Sequence, residues 1–329
     1  MPDELAIGID VGGTKIAAGV VDEQGRVLAR RRADTPGSDA AAVLAVIGDL
    51  VDQLRREHVD SAGEIRALGI GAAGFVDATG STVLFAPHLP WRDENLRHAV
   101  ADRTGLLVVV ENDANAGGWA EWRFGAVQGE PDIVLVALGT GIGGAIVIDG
   151  QPYRGRFGIA GEFGHMQVVP DGLPCECGNR GCWEQYASGR VLTRRGRAAA
   201  EESTLLGQHL LDAAGGSVQD IQGSHVTEAA RDGDEEAAGW FADVGDWLGV
   251  GMANLAAALD PGVFVVGGGL SDAGEMLLAP ARAAFSRSLT GRGHRPEARI
   301  VAAGLGPEAG LIGAADLARF TVQLKSSGS

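Results

Sequence analysis

The chain has 329 residues, of which 45% are hydrophobic and 21% charged, proportions typical of a globular protein with room for two domains. Its formal net charge of −16 argues against nucleic-acid binding, because affinity for a phosphate backbone depends on clustered Lys and Arg. With no apolar run of roughly 18 residues and no basic-then-apolar leader at the N-terminus, we expect a cytoplasmic protein without a membrane or nucleic-acid partner.

A glycine turn between two predicted strands opens the chain. Residues 5–10 and 16–21 are apolar with the alternation of strands. The turn between them contains Gly12, Gly13, Thr14 and Lys15. Glycines let backbone N–H groups approach phosphate oxygens, and the hydroxyl and ammonium add further donors. Asp10, at the end of the first strand, is a candidate to hold Mg²⁺ through water. A plain hairpin without a ligand has the same pattern.

The next elements lead to a candidate catalytic carboxylate. Residues 38–57 predict an amphipathic helix with Ser38 as its N-cap. Residues 65–70 predict a strand that ends in a loop of small residues, up to Gly74, with space for a ligand. After a helix at 95–104, a strand at 106–110 leads to Asn112 and Asp113. Ligands of α/β sheets bind beyond the carboxyl ends of strands, so Asp113 is a candidate general base and Asn112 a substrate orienter. The alternative is that Asp113 caps the helix predicted at 114–124.

A second glycine turn repeats the first about 130 residues later. Residues 133–148 form apolar strand, turn and apolar strand, with Gly139, Thr140 and Gly141 in the turn. The repetition predicts two related domains that grip one nucleotide. The strand at 263–266 is followed by Gly267, Gly268 and Gly269, a turn that suits an adenine or a ribose before a helix predicted near Ser271. Close packing of the strand against that helix explains these glycines equally well.

All three cysteines lie in one segment, residues 161–184. Together with one histidine they have the spacing H-x9-C-x-C-x4-C, formed by His165, Cys175, Cys177 and Cys182. One imidazole and three thiolates make a closed tetrahedral Zn²⁺ site, which is structural because it leaves no position for a catalytic water. The flanking Glu162 and Glu184 would accept hydrogen bonds from several hydroxyls of a sugar. Solvated glutamates are the open alternative.

Helices are predicted for most of the remaining chain. Residues 188–236 contain polar and alanine-rich helical segments, and a longer helix is predicted at 236–259. Gly245, Gly249 and Gly251 weaken that helix, which indicates close packing against another element or subunit. A last helix at 309–320 precedes a polar tail, residues 323–329, expected to be disordered.

Taken together, these motifs resemble the ROK family of repressors, open reading frames and sugar kinases. The resemblance rests on four collinear segments that span residues 5 to about 315. They are Asp10-Val11-Gly12-Gly13-Thr14-Lys15, Gly139-Thr140-Gly141-Ile142-Gly143-Gly144, Gly161-Glu162-x-Gly164-His165, and Cys175-x-Cys177-Gly178-x-x-Gly181-Cys182-x-Glu184. Ala73 departs from the proline of many members, which leaves the shape of the loop before Gly74 open.

The resemblance implies a fold and an activity. The fold is α/β, of the two-domain actin and hexokinase-like (duplicated ribonuclease H-like) type, with a cleft for nucleotide and sugar between domains. The expected domains are residues 1–112 with about 312–329, and residues 113–311. The implied reaction is that of a glucokinase, in which Mg²⁺ and ATP phosphorylate the 6-hydroxyl of glucose.

The resemblance also implies roles for individual residues and an assembly. Asp113 matches the catalytic base. The matched sugar ligands are Gly74, Asn112, Asp113, Glu162, His165 and Glu184, and His165 also matches a zinc ligand. The family implies a homodimer or homotetramer. Two alternatives share these motifs, namely a kinase for N-acetylmannosamine, mannose or fructose, and a non-catalytic sugar-sensing regulator.

Overall fold

The structure, a computed structural model, describes residues 4–37, 39–58 and 64–327, and the side chains as far as Gln323. The strands are β1 (Glu4–Val11), β2 (Lys15–Val21), β3 (Val27–Asp34), β4 (Glu64–Ala72), β5 (Phe75–Val76), β6 (Val83–Phe85), β7 (Arg92–Glu94), β8 (Leu107–Asn112), β9 (Ile133–Leu138), β10 (Ile142–Ile148), β11 (Gln151–Pro152), β12 (Val263–Gly267) and β13 (Arg299–Ala302). The α-helices are α1 (Ala40–Glu57), α2 (Leu96–Thr104), α3 (Asp113–Arg123), α4 (Glu184–Ala187), α5 (Gly189–Glu201), α6 (Leu205–Ala213), α7 (Gly223–Arg231), α8 (Glu235–Leu259), α9 (Glu275–Ser288) and α10 (Ala309–Ser327). Short 3₁₀ turns occur at Phe163–His165, Val218–Asp220, Gly269–Ala273 and Gly306–Glu308. Within these described ranges, no helix has both the length and the apolarity that crossing a bilayer requires.

The described residues form two compact units. The first contains residues up to Leu135, Ala145–Gly161, and residues from Gly304 onward, whereas the second contains Val136–Gly144 and Glu162–Ala303. The boundaries predicted from the sequence, at 112 and 311, place α3 in the second domain. Compactness groups α3 with the first unit. Compactness does not locate the hinge between domains, so the boundaries at 112 and 311 stay a prediction.

The sheet of the first unit brings three strand ends to one edge. Its strand order is β3-β2-β1-β4-β8, with β1 antiparallel to β2, and β1, β4 and β8 mutually parallel. The register pairs Asp10 with Gly71, and Gly71 with Glu111. Parallel strands end at the same edge, so the polar residues that follow or finish them become neighbours.

Helices cover both faces of this sheet. Gly8 and Gly69 allow α10 to lie directly on one face, since a Cβ at these positions would come within 2.0 Å of the Leu311 oxygen and 1.8 Å of the Ala314 oxygen, respectively. The other face packs on α1, whose buried apolar residues are Val43, Ile47, Leu50, Val51 and Leu54. Two covered faces explain why β1 and β4 are almost wholly buried.

The second sheet has the strand order β11-β10-β9-β12-β13, and the division between the units falls within β9 and β10. In the second unit, α8 packs closely on α9, because a Cβ at Gly249 would lie 2.2 Å from the Ala281 oxygen. Gly251 faces Trp183, whose indole would be 2.0 Å from such a Cβ. The predicted close packing of the α8 glycines is therefore confirmed, and their partners lie in this chain.

Three predicted helix ends differ from the structure. Helix α1 begins at Ala40, with Asp39 as the N-cap that accepts from the Ala41 N–H, and Ser38 lies outside the described residues. Helix α9 begins at Glu275 and not near Ser271, because a 3₁₀ turn occupies residues 269–273. Helix α10 continues to Ser327, so the polar segment after Phe320 is helical where a disordered tail was expected.

Candidate active site

The first part of the site lies where β8 ends and α3 begins. Asn112 is the N-cap of α3, because its side-chain oxygen accepts from the Asn115 N–H at 3.0 Å. Its side-chain nitrogen donates to Asp113 Oδ1 at 3.0 Å and to the Gly74 carbonyl at 3.1 Å. The structure therefore brings Gly74, Asn112 and Asp113 together. Capping, the alternative considered for Asp113, is the role of Asn112.

Asp113 and Asp10 form a pair of partly buried carboxylates. Burial raises the pKa of Asp113, although N–H donors from Ala114 and Asn112 oppose that rise. Burial, followed by repulsion from Asp113, raises the pKa of Asp10 to about 7. Two like charges at one strand edge are stabilised by a shared cation or by a proton.

The first glycine turn is held by backbone hydrogen bonds. The Gly12 N–H donates to the Lys15 carbonyl at 3.0 Å, and the Thr35 hydroxyl donates to the Gly12 carbonyl at 2.7 Å. Gly13 lies against the backbone and Cβ of His88, where a Cβ of its own would come within 2.8 Å. Thr14 and Lys15 are exposed, as side chains that contact a phosphate must be.

The second glycine turn borders a cavity in the second unit. The cavity has a volume of about 580 Å³ and is lined by Gly139, Thr140 and Gly269 among the predicted residues. Its other walls come from α5, α7 and the segment before α7, and include Arg190, Thr193, Arg197, Gln222, Ser224, Thr227 and Arg231. Sequence reasoning missed these residues, because polar side chains on helices have no spacing that distinguishes a pocket wall from a solvated face.

The remaining predicted glycines lie outside this cavity lining. Gly268 has φ of 82° and packs on β9, where a Cβ would be 2.4 Å from the Leu138 oxygen. Gly267 is the buried last residue of β12. Gly141 faces Glu184, whose Oε2 would lie 2.4 Å from a Cβ at that position. The second glycine turn is thus adjacent to the cysteine segment.

The four candidate metal ligands converge. Their ligand atoms all lie within 4.8 Å of one another, in the set His165, Cys175, Cys177 and Cys182. Cys177 Sγ is 3.6 Å from Cys182 Sγ, and Cys175 Sγ is 3.7 Å from His165 Nδ1. Tetrahedral Zn²⁺ with Zn–S bonds of about 2.3 Å separates its sulfur ligands by about 3.8 Å. The cluster therefore has the donor set and the dimensions of a metal centre.

The thiol pKa values show what this cluster requires. Burial, followed by the neighbouring thiols, raises the pKa of Cys182 to about 12, and burial also raises the pKa of Cys175. Protonated thiols do not bind a metal, but a bound cation favours the thiolate and so lowers the thiol pKa values. Binding of a metal at this cluster would therefore release protons.

Glu184 connects the cluster to the candidate sugar ligands. It is buried, and its Oε1 accepts from Cys175 Sγ at 3.1 Å and lies 3.8 Å from His165 Nδ1. The preceding Trp183 is fully buried against Gly251, and its indole N–H donates to the Trp247 carbonyl at 2.8 Å. Glu162 precedes the 3₁₀ turn that carries His165. The second unit therefore brings His165 and Glu184 together on one anchored segment.

Comparison with known proteins agrees with these features. The sequence model that describes the ROK family matches residues 6–320 of this chain. The chain is 49% identical to a glucokinase of Streptomyces coelicolor over 315 residues, which cover 96% of this chain and 98% of that protein. A glucokinase of Halalkalibacterium halodurans is 35% identical, with 95% and 94% covered. A ROK glucokinase of Streptomyces griseus, solved in complex with glucose and AMPPNP, has a TM-score of 0.86 and 51% identity over 96% of this chain and 99% of that one.

Proposed function

The chain belongs to the ROK family, and we infer that it is an ATP-dependent glucokinase, which transfers the γ-phosphate of ATP to the 6-hydroxyl of glucose. The observation that carries this inference is the near-complete alignment with the Streptomyces glucokinases, one of which holds glucose and an ATP analogue. The fold is the actin and hexokinase-like fold of those proteins.

Asp113 is the general base in this proposal. It accepts the proton of the 6-hydroxyl as the oxygen attacks the γ-phosphate, a role worth about 10²- to 10⁴-fold in rate. Its raised pKa supports the role, because a base whose pKa lies nearer to neutrality holds the transferred proton more firmly. The hydrogen bond from the Asn112 side chain orients the carboxylate.

The proposed sugar ligands are Gly74, Asn112, Asp113, Glu162, His165 and Glu184. Carboxylates and an imidazole suit glucose because each accepts hydrogen bonds from neighbouring hydroxyls. The donor set and spacing of the thiol cluster support structural Zn²⁺, and His165 would bind it through Nδ1, since that nitrogen faces Cys175.

The proposed nucleotide site uses both glycine turns. Gly12, Gly13, Thr14 and Lys15, with Gly139, Thr140 and Gly141, hold the phosphates, and the turn at residues 267–269 faces the base or ribose. The size of the cavity beside Gly139 and Gly269 supports this placement. When bound with ATP, Mg²⁺ would supply charge neutralisation at the β- and γ-phosphates. Asp10, whose pKa is raised by burial and then by the neighbouring Asp113 carboxylate, would hold that ion through water.

We place the protein in the cytoplasm, as a homodimer or homotetramer. The free thiols of all three cysteines support a reducing compartment, in which thiolates remain available to a metal. The assembly is proposed from the family.

The proposal is tested by ADP release with MgATP and each of glucose, mannose, fructose and N-acetylmannosamine. We expect the largest kcat/KM with glucose, and formation of the 6-phosphate. A larger value with another hexose would change the substrate assignment. Sugar binding without turnover, in protein with a full metal content, would show a sensor in place of a kinase.

A further inference from the structure

Glu111, the residue before the candidate sugar ligand and base, is a buried carboxylate that the roles above leave unused. Its exposed fraction is 2%. Its Oε1 accepts from the Asn112 backbone N–H at 3.0 Å and from the Asn115 side-chain nitrogen at 3.1 Å. Its Oε2 accepts from Arg154 Nε at 2.5 Å. The carboxylate is therefore fully engaged beneath the point where β8 becomes α3.

These bonds continue without a break to Asp113. Asn115, which donates its side-chain amide to Glu111, donates its backbone N–H to the Asn112 side chain. That side chain donates to Asp113 Oδ1. A change in the position of Glu111 therefore reaches the Asn112 side chain through two hydrogen bonds and Asp113 through a third.

Arg154 brings a distant part of the first unit to this junction. It follows β11 and closes a loop, because its carbonyl accepts from the Ala160 N–H at 3.0 Å. Within the loop, Gly158 has φ of 90° and lies against residues 76–78, where a Cβ would be 2.4 Å from the Val76 oxygen. The loop is thus fixed at two points, and along the chain it leads directly to Glu162.

We propose that Glu111 and Arg154 are positioning residues of the kinase, whose ion pair holds Asn112 and Asp113 in their reactive orientation. This inference rests on the function proposed above. A buried carboxylate that loses its cationic partner must recruit water or other donors. Either change moves the first turn of α3, and a displacement of about 1 Å at a catalytic group costs about 100-fold in rate.

The test compares Arg154→Met with Arg154→Lys and with a matched control, Arg123→Met. Arg123 also pairs with a buried carboxylate of the first unit, since its Nε lies 3.0 Å from Asp316 Oδ2. For each variant, kcat, both KM values and the melting temperature are measured. We expect Arg154→Met to lower kcat about 10- to 100-fold with the KM for MgATP nearly unchanged, and Arg154→Lys to recover part of that loss. Arg123→Met should lower the melting temperature and leave kcat near wild type.

Each outcome decides the matter. Wild-type kcat in folded Arg154→Met, no recovery with lysine, or an equal loss in Arg123→Met would overturn the positioning role. If Arg154→Met does not fold, the double variant Glu111→Gln with Arg154→Met, which leaves no buried charge at the pair, replaces it. A wild-type kcat in that variant also overturns the proposal. Failure of the wild-type protein to phosphorylate any hexose would refute the proposed kinase. That result is distinguishable from failure of the positioning role, which appears only in the variants.

Discussion

The carboxylate pair at the β1 and β8 strand ends and the thiol cluster of residues 161–184 are held in place by different means. Asp113 begins a helix whose preceding strand lies in a five-stranded sheet. Asp10 ends a strand of the same sheet. The cysteines lie on turns joined by two isolated β-bridges, Gln167 to Cys182 and Pro174 to Arg180.

This contrast indicates which part of the proposed site would depend on an ion for its shape. Regular elements fix Asn112 and Asp113 through backbone hydrogen bonds and a buried core. The cysteine segment has little regular structure, and its thiols are buried or crowded against one another. The proposed metal would take the place of the missing ladder there, so its loss should affect the proposed sugar ligands His165 and Glu184 and spare the proposed base Asp113.

The largest effect should come from removing the base. Asp113→Asn keeps the size of the side chain and its acceptor for the Asn112 amide, but cannot take the proton. We expect kcat to fall about 10²- to 10⁴-fold, with metal content and melting temperature at least as high as in the wild type. Rapid glucose phosphorylation by this variant would refute the assigned base.

Removal of the metal tests the other side of the comparison. Stripping zinc, or replacing Cys182 by Ser, should weaken glucose binding by at least about 10-fold, because Glu184 and His165 lose their fixed positions. Binding of AMPPNP should change little. Titrations of both ligands, with metal content measured by mass spectrometry, check this. Unchanged glucose affinity in verified metal-free protein would contradict the dependence.

A substitution on α8 should disturb the cysteine segment without touching a ligand. Gly251→Ala places a methyl group against the Trp183 indole, next to Glu184, and should cost about 1–3 kcal/mol of stability together with glucose affinity. Gly239→Ala is the matched control, because it lies on the same helix with open space around its Cα and should gain up to about 1 kcal/mol. Equal melting temperatures and glucose affinities in the two variants would rule out the Trp183 anchor.

The smallest effect concerns the pH dependence of stability. The pKa of Asp10 is raised from 3.8 to about 7, so between these values the folded protein binds more protons than the unfolded chain. The contribution of Asp10 to the free energy of unfolding is therefore fully present below about pH 4 and is lost as the pH rises to about 7. Without Mg²⁺, Asp10→Asn should match wild type at pH 4 and exceed it by about 1 kcal/mol at pH 8. Denaturant curves at both pH values test this, and parallel pH profiles would contradict it.

The sequence predicted those parts of the site that are encoded locally. The clustering of the four candidate metal ligands was predictable because three cysteines and a histidine lie within one short segment. Asp113 was predicted as the base because it follows a buried strand. Both glycine turns were recognised from the strands around them, and the fold followed from the family resemblance, which the comparisons confirm.

The parts that depend on tertiary packing could not be predicted. Arg154 is 43 positions from Glu111, and Gly251 is distant from Trp183, so neither pair has a spacing that indicates contact. The cavity walls on α5 and α7 look like ordinary solvated helix faces. The 3₁₀ turn before α9 shifted the predicted start of that helix, because 3₁₀ and α segments share similar residue preferences.

The packing of α10 on the first sheet has a consequence for biosynthesis. Gly8 and Gly69 have no side chain, so the face that they form is closed by the backbone of a helix translated roughly 240 residues after β4. At about 5–20 residues per second, a ribosome needs roughly 10 to 50 seconds to supply it. During that interval, the apolar strands of the nascent first unit are exposed on one face. Chaperone capture of stalled chains that lack α10 should therefore be far stronger than capture of chains released with it.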